Sequence, residues 1–385
     1  MKVVFFANFM PDPCGAFFHD VAIAKEFQRR GHTVCFITIT RGRFPVRGVY
    51  RGIQWVFYTN AENEMKGANI WSSPHFPFLH VVRKLNEKFQ KPLVVTMHFG
   101  EDIQGIMPYE RAGKWAEFLW IVSNHITDNI KHRVTLSPTF KVVESMRPIM
   151  IEDEIKFRER GAPSTGDCIT LINANMMKGL ELFIELAKKF PHRKFLGVRP
   201  YYNKINVPEN IPNIEWMDIQ DDIRVVLQRT RILLVPSQYE SWGRVAFEAM
   251  YNGIPVLHTK PMESTSPGCR PSGSTEGMCE WINDTQFMCE YKVFDDWVQA
   301  IEVLDDKETY EEYSKSAYDH TYAMNVFQDI LEIEQKMQQY AIQYAPAIVD
   351  TKNQVATALT PGITQLRMPT TSVSPFRGGR FAVRR

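Results

Sequence analysis

V-P-S-Q-Y-E-S-W-G-R-V-A-F-E-A-M-Y-N-G-I-P-V, from Val235 to Val256, is the stretch whose reading decides the fold. Immediately before it, R-I-L-L-V (Arg231 to Val235) is a short apolar run of the kind that forms a buried strand. A helix is expected from about Arg244 to Asn252, with Gly253 as its stop signal, and P-V-L then opens the next strand. Strand, loop and helix in this order place free backbone N–H groups and a positive dipole end at the carboxyl edge of a sheet, where phosphates bind. The same stretch holds Glu240 and Glu248, eight positions apart around a glycine turn. Carboxylates suit polyols, because each oxygen accepts hydrogen bonds from hydroxyls. Phosphate plus polyol describes a nucleotide sugar.

Working outward, the 385-residue chain exceeds the size of one comfortable core, so two domains are expected. With 44% hydrophobic and 23% charged residues it has the composition of an ordinary globular protein. A formal charge of +1 gives no global pull toward nucleic acid or membrane. No apolar run approaches the ~18–20 residues that cross a bilayer. The N-terminal M-K-V-V-F-F-A reads as a first strand rather than a signal peptide. The six cysteines (14, 35, 168, 269, 279, 289) form no C-x-x-C pair and read as reduced thiols, which points to the cytoplasm.

K-V-V-F-F-A, the helical pattern Phe17 to Arg30 stopped by Gly31, and H-T-V-C-F-I-T-I form a βαβ unit with Gly15 in its first turn. The loop lacks G-x-G-x-x-G and is no dinucleotide fingerprint. Further strands are expected at P-L-V-V-T-M (Pro92 to Met97), followed at once by His98 to Asp102, and at V-T-L-S (Val134 to Ser137). The charged, Pro/Gly-marked stretch Arg147 to Asp167 reads as an interdomain linker. A second alternating series follows. It comprises C-I-T-L-I-N, a helix over Leu180 to Phe190, K-F-L-G-V, N-I-E-W-M-D, a helix over D-I-R-V-V-L-Q-R, and R-I-L-L-V. Asp306 to about Tyr344 reads as helical. Residues 346–385, rich in Thr, Pro, Gly and Arg, read as a flexible basic tail.

The pattern P-S-x-x-E, aromatic-Gly, E-A-M-x-x-G-x-P-V resembles the donor-binding signature of GT-B retaining glycosyltransferases, most closely family four, the group 1 glycosyl transferases. The resemblance implies an α/β fold of two Rossmann-like domains facing across a cleft. Residues 1–150 would form the acceptor-side domain, joined by a helix returning at about 326–345, and residues 151–325 the donor-side domain. It assigns Glu240 to the sugar hydroxyls near the reacting carbon and Glu248 to both ribose hydroxyls. The backbone of Ser241, Trp242, Gly243, Arg244 and Val245 would address sugar and phosphate. Gly243 is expected where the chain nears the ligand too closely for a Cβ. Gly15 would let backbone approach the diphosphate or acceptor, His98 would reach the donor sugar, and strand ends at Val198-Arg199 and Met217-Asp218-Ile219 would meet the base.

Family members also carry a basic pair, an Arg after the first strand of the second domain and a Lys before Gly. Lys178-Gly179 in L-I-N-A-N-M-M-K-G matches the lysine half, while Asn173 and Asn175 stand where the arginine would be. Arg244, following Gly243, is the expected compensation. Aromatic stretches Trp71 to Phe78 and Pro108 to Trp115 are candidates for stacking on an acceptor, core packing being the alternative, and the long loop Pro261 to Gly277 is a candidate functional loop.

The implied activity is metal-independent, retaining transfer from a UDP- or GDP-sugar to a glycan, lipid-linked or other hydroxyl acceptor, with no cofactor. The sequence holds no D-x-D and no His/carboxylate cluster at ligand spacing. Two alternatives stay open: a viral-type DNA glucosyltransferase using the basic tail on a nucleic acid, and a degenerate nucleotide-sugar-binding protein.

Overall fold

The computed structural model describes residues 1–12, 14–41, 45–98, 115–135, 140–162, 165–201, 207–261, 275–282 and 285–346. Residues 99–102, 108–114, 262–274 and 347–385, which include several sequence-based expectations, lie outside the described residues.

The first sheet takes β1 Lys2–Ala7, β2 Thr33–Thr38, β3 Arg47–Tyr50, β4 Ile53–Phe57, β5 Ile70–Pro74, β6 Leu93–Met97, β7 Glu117–Ile121 and β8 Phe140–Ser145. The second takes β9 Cys168–Leu171, β10 Lys194–Val198, β11 Ile214–Met217, β12 Thr230–Val235, β13 Val256–Thr259 and β14 Phe287–Cys289. The helices are α1 Gly15–Arg29, α2 Glu62–Gly67, α3 Leu79–Phe89, α4 Asn124–Thr135, α5 Glu152–Ile155, α6 Leu180–Lys189, α7 Ile223–Leu227, α8 Arg244–Met250, α9 Glu276–Ile282, α10 Phe294–Val303, α11 Lys307–Met324 and α12 Asp329–Gln343.

Strand order is β3-β4-β2-β1-β5-β6-β7-β8 in one sheet and β11-β10-β9-β12-β13-β14 in the other. All pairings are parallel except β3 with β4. Parallel sheets bury both faces, and β1 shows how its sequence meets that demand. Val3 and Phe5 enter one core, and Val4 and Phe6 the other. In each sheet the winding reverses once, between β1 and β5 and between β9 and β12. The loops leaving the carboxyl ends of these strands diverge there, which is where open α/β sheets bind ligands. The loops after β9 and β12 are those containing Lys178 and Glu240.

Three expectations are corrected. Val134 and Thr135 close α4 instead of starting a strand, and the strand of that region lies later, at β8. The helix expected from Asp306 to Tyr344 is two helices. Asn325 breaks them in the left-handed region at φ 50°, a conformation Asn tolerates better than most residues. The linker begins buried, not polar: Ile149 and Ile151 enter the first-domain core while Met150 enters the second. A strand-like alternation lets one short segment serve both cores.

After the break, α12 packs on the first domain. Ile330, Ile333, Met337 and Tyr340 join its core, Tyr340 stacks on Phe118 at 3.7 Å, and its hydroxyl donates to Glu144 Oε1 at 3.0 Å. Trp71, one of the acceptor-stacking candidates, is fully buried on β5 against Phe6 and Phe89, so core packing accounts for it. Among the described residues no helix is long and apolar enough to cross a membrane.

Candidate active site at the domain interface

Gly179 sits at φ +82° at the head of α6, where a Cβ would lie 2.6 Å from the Pro236 carbonyl oxygen. The loops after β9 and β12 are therefore in backbone contact, and that contact brings Lys178 to Glu240. Lys178 Nζ donates to Glu240 Oε1 and approaches the Tyr239 carbonyl at 3.4 Å. Ser237 Oγ donates to the same Glu240 oxygen at 2.7 Å. Asn175 caps the turn, accepting from the Lys178 N–H at 3.2 Å, and its amide donates to Asn173 Oδ1 at 3.1 Å. Asn173 is itself left-handed, at φ 61°. The two asparagines build this loop.

Three residues after Glu240, Gly243 at φ +74° turns the chain into α8. A Cβ there would meet Met278 at 2.5 Å. The glycine is thus required by its own backbone and by Met278, a reason internal to the protein rather than the ligand approach expected from sequence. Arg244 opens the helix and donates from Nε to Glu248 Oε1 at 2.7 Å. The side chains are 20% and 9% exposed, so Arg244 does not simply point to solvent. Asn252, fully buried, donates to the Glu248 carbonyl at 2.8 Å and the Ile155 carbonyl at 2.9 Å, fixing the far end of the helix to the linker. Each predicted cation therefore holds one predicted carboxylate.

Trp242 is buried and stacked on Trp281 at 5.0 Å, and its carbonyl accepts from Trp281 Nε1 at 2.6 Å. Its indole belongs to the core, leaving only its backbone for a ligand. The Ser241 carbonyl lies against Gly277, where a Cβ would come within 2.0 Å. Val245 packs partly buried beside the same core. Arg199 and Met217 end neighbouring strands and are joined by the Arg199 N–H to Met217 carbonyl bond at 2.8 Å. The Arg199 guanidinium is engaged by Glu209 at 2.7 Å, and Ile219 is exposed. Gly15 is the first residue of α1, with nothing within 4 Å of the place a Cβ would take.

His98, at the end of β6, is 8% exposed and its Nε2 has no hydrogen-bond partner. The sequence reading missed its neighbour. His19, on α1 and 1% exposed, lies with its ring edge-on to His98 at 5.1 Å. His19 Nδ1 accepts the Ile149 N–H at 2.8 Å, so its proton resides on Nε2, which also has no partner. A third unpartnered atom is Nη1 of Arg244, whose charge acts on both rings. Burial first, and then that guanidinium, push His98 down to about 3, while burial, then His98 and the guanidinium, hold His19 well below the usual imidazole range. Both rings are therefore neutral at physiological pH. Buried polar atoms are almost always hydrogen-bonded, so three orphans from two domains make this a candidate site for a polar ligand. The signal for His19 was a pair of polar residues, His19 and Asp20, inside the apolar pattern of α1, which periodicity alone assigns to the core.

Residues 153–266 match the family described as glycosyl transferases group 1. The chain has the GT-B fold, and the family match lies within its second domain. The whole GT-B chain is similar to sucrose-phosphate synthase from Thermosynechococcus elongatus, with a TM-score of 0.66 at 13% identity over 89% of this chain and 99% of that one. It is similar to Anabaena Alr3699/HepE in complex with UDP-glucose, at 0.65 and 14% over 87% and 100%. A glycosyltransferase from Rickettsia africae gives 0.64 and 13% over 89% and 98%. No curated protein matches the sequence.

Proposed function

We propose that this GT-B protein transfers a sugar from a nucleoside-diphosphate sugar to a hydroxyl acceptor, retaining the anomeric configuration and without a bound metal. The observation that carries the reading is the pair of ion pairs, Lys178 with Glu240 and Arg244 with Glu248, at the carboxyl edge of the second sheet. Without a ligand, each half-buried charge is balanced by its neighbour. A sugar diphosphate offers both sides better partners: phosphate oxygens for the cations and hydroxyls for the carboxylates. The structural likeness to a protein held with UDP-glucose supports the donor class.

In this reading the anomeric C–O bond to the diphosphate breaks, and Lys178 and Arg244 stabilise the charge growing on the departing oxygen. Glu240 accepts hydrogen bonds from sugar hydroxyls beside the reacting carbon, and Glu248 accepts them from the ribose. Neutral His98 and His19 present hydrogen-bonding nitrogens to the sugar side without adding positive charge. The acceptor hydroxyl bonds to the same face of the anomeric carbon and gives its proton to the leaving phosphate oxygen.

A second reading, a nucleotide-sugar-binding protein without turnover, is favoured by one observation. Asn173 and Asn175 spend their side chains on the loop where an arginine was expected. A screen of UDP-, GDP- and ADP-sugars for binding and for slow release of free sugar tests both. Binding with hydrolysis that Lys178→Ala abolishes supports transfer, binding without release supports the second reading, and no binding by any donor overturns both. Hydrolysis that stops on adding a chelator overturns metal independence alone.

A further inference from the structure

At the opposite end of α8 from Arg244 lies a cavity of about 610 Å³. It is walled by linker residues 158–162, by Asn252 and Gly253 just past the helix, and by α11 from Lys307 to Asp319. Five basic and three acidic side chains line it. Each acid has a cation: Glu159 has Lys156 at 3.1 Å, Glu311 has Lys307 at 3.8 Å, and Asp319 has Lys315 at 2.7 Å and also Arg160. Arg158 and Arg231 are bound otherwise. The Arg231 guanidinium carbon lies over the Tyr310 ring, 3.9 Å from its centroid, so its charge is set against a ring and not a carboxylate. Arg158 reaches the Ala162 carbonyl at 2.7 Å and Ser314 Oγ at 3.3 Å. Over the lining side chains the excess is two positive charges, and Arg158 and Arg231, beside the rings of Tyr310 and Tyr318, are the lining guanidinium groups not spent on a carboxylate.

We propose that this cavity is a second binding site, for a small phosphate monoester with a ring or apolar body, and that its occupancy is felt at the interdomain site. A dianion matches the excess charge, guanidinium forks fit phosphate oxygens, and the tyrosines accept the organic part. The route is short. Ser314 Oγ donates to the Gly253 carbonyl at 2.6 Å, and adjacent Asn252 holds the Glu248 carbonyl and, through the Phe157 N–H at 2.9 Å, the linker. A ligand drawing Arg158 away from Ser314 acts on the carboxyl end of the helix whose other end bears Arg244. The binding half does not depend on the function proposed above; the coupling half takes its significance from it.

Calorimetry on the full chain with phenyl phosphate, inorganic phosphate and phenol tests the site. Saturable one-to-one binding of phenyl phosphate, weaker binding of phosphate and none of phenol is expected. Arg231→Gln is expected to weaken it about tenfold or more, and Lys307→Gln, on a residue 86% exposed and so harmless to folding, to weaken it less. Absence of saturable binding overturns the proposal, as does binding that survives Arg231→Gln and Lys307→Gln together but is lost in Lys178→Ala, which would put the ligand in the interdomain site. Hydrogen exchange tests the coupling. Slower exchange of the α8 amides with phenyl phosphate supports it, and unchanged exchange at saturation overturns it.

Discussion

Replacing Glu248 by Gln keeps the shape of the side chain and removes its charge, and the structure permits an estimate of the result. Arg244 Nε holds the side chain at 2.7 Å, and Asn252 holds the residue's backbone carbonyl at 2.8 Å. An amide oxygen can still accept the Arg244 bond, so little change in stability is expected. Hydrogen bonds to charged groups contribute ~1.5–3 kcal/mol and neutral ones ~0.5–1.5. Exchanging a charged acceptor for a neutral one at two ribose hydroxyls therefore costs about 2–3 kcal/mol, roughly 30- to 150-fold in Kd. Loss of the carboxylate also frees the Arg244 guanidinium for phosphate, which offsets part of that cost. Comparing ribose with 2′-deoxyribose separates the two effects, because the phosphate contribution is common to both ligands. Calorimetry of UDP and GDP and their 2′-deoxy forms is expected to show wild-type protein preferring its ribonucleotide about tenfold or more, and Glu248→Gln retaining only a preference of about a few-fold. Full discrimination in the variant would refute the role of Glu248, even if overall affinity fell.

Burial lifts the Asp12 carboxyl from its ordinary 3.8 to about 7, so the folded state holds a proton that the unfolded chain releases. Its contribution to stability is full at acid pH and is lost as pH rises from about 4 toward 7; Asp12→Asn should flatten that part of a denaturant-midpoint profile, and an unchanged profile would count against it. Arg83 and Glu117 are 1% and 2% exposed and bonded at 3.2 and 2.9 Å, so Arg83→Met, which strands the carboxylate, should cost ~3–5 kcal/mol. Thermal unfolding should fall by on the order of 10 °C, and Arg83→Met with Glu117→Leu should recover most of it. Gly179→Ala places a Cβ 2.6 Å from the Pro236 oxygen at φ +82°, so a loss of at least about 2 kcal/mol in urea unfolding is expected; wild-type stability would show that the two loops can part.

The sequence carried the second domain well because its strands and helices follow one another with the periodicities that parallel sheets impose. Each of its expected strands is present, and α8 begins at Arg244 as the glycine before it implied. The first domain was less legible. Strands β3, β4, β5, β7 and β8 went unread, and I-W-S-S-P in β5 shows why: a short run with two serines reads as a loop, although Ser72 and Ser73 are buried. The candidate residues were found by their pattern, but their pairing was not. Nothing in the spacing of Lys178 and Glu240, 62 positions apart, says that they touch; only the adjacency of β9 and β12 does. His19 was unreadable for the same reason, since its significance comes from Ile149 and His98, both distant in the chain.

The site joins groups from two domains, so its geometry is only as fixed as their relative position, and the chain crosses between them twice. One crossing runs through Arg147 to Ile151, and the other through Met324 to Asp329. Arg147 grips the second crossing with a fork: Nε and Nη2 on the two oxygens of Asp329, at 2.7 and 2.5 Å, and Nη1 on the Met324 carbonyl at 3.0 Å. Two crossings bound side by side form one seam between the domains. His19 is tied to that seam by the Ile149 N–H. Across the interface, Glu280 of α9 accepts the Asn124 and His125 N–H groups that begin α4, at 3.0 and 2.8 Å, so a carboxylate of one domain satisfies a helix start in the other. His125 also pairs with Glu276 of α9. The seam thus sets where the two halves of the site meet, and the α9–α4 contact sets how firmly they stay there.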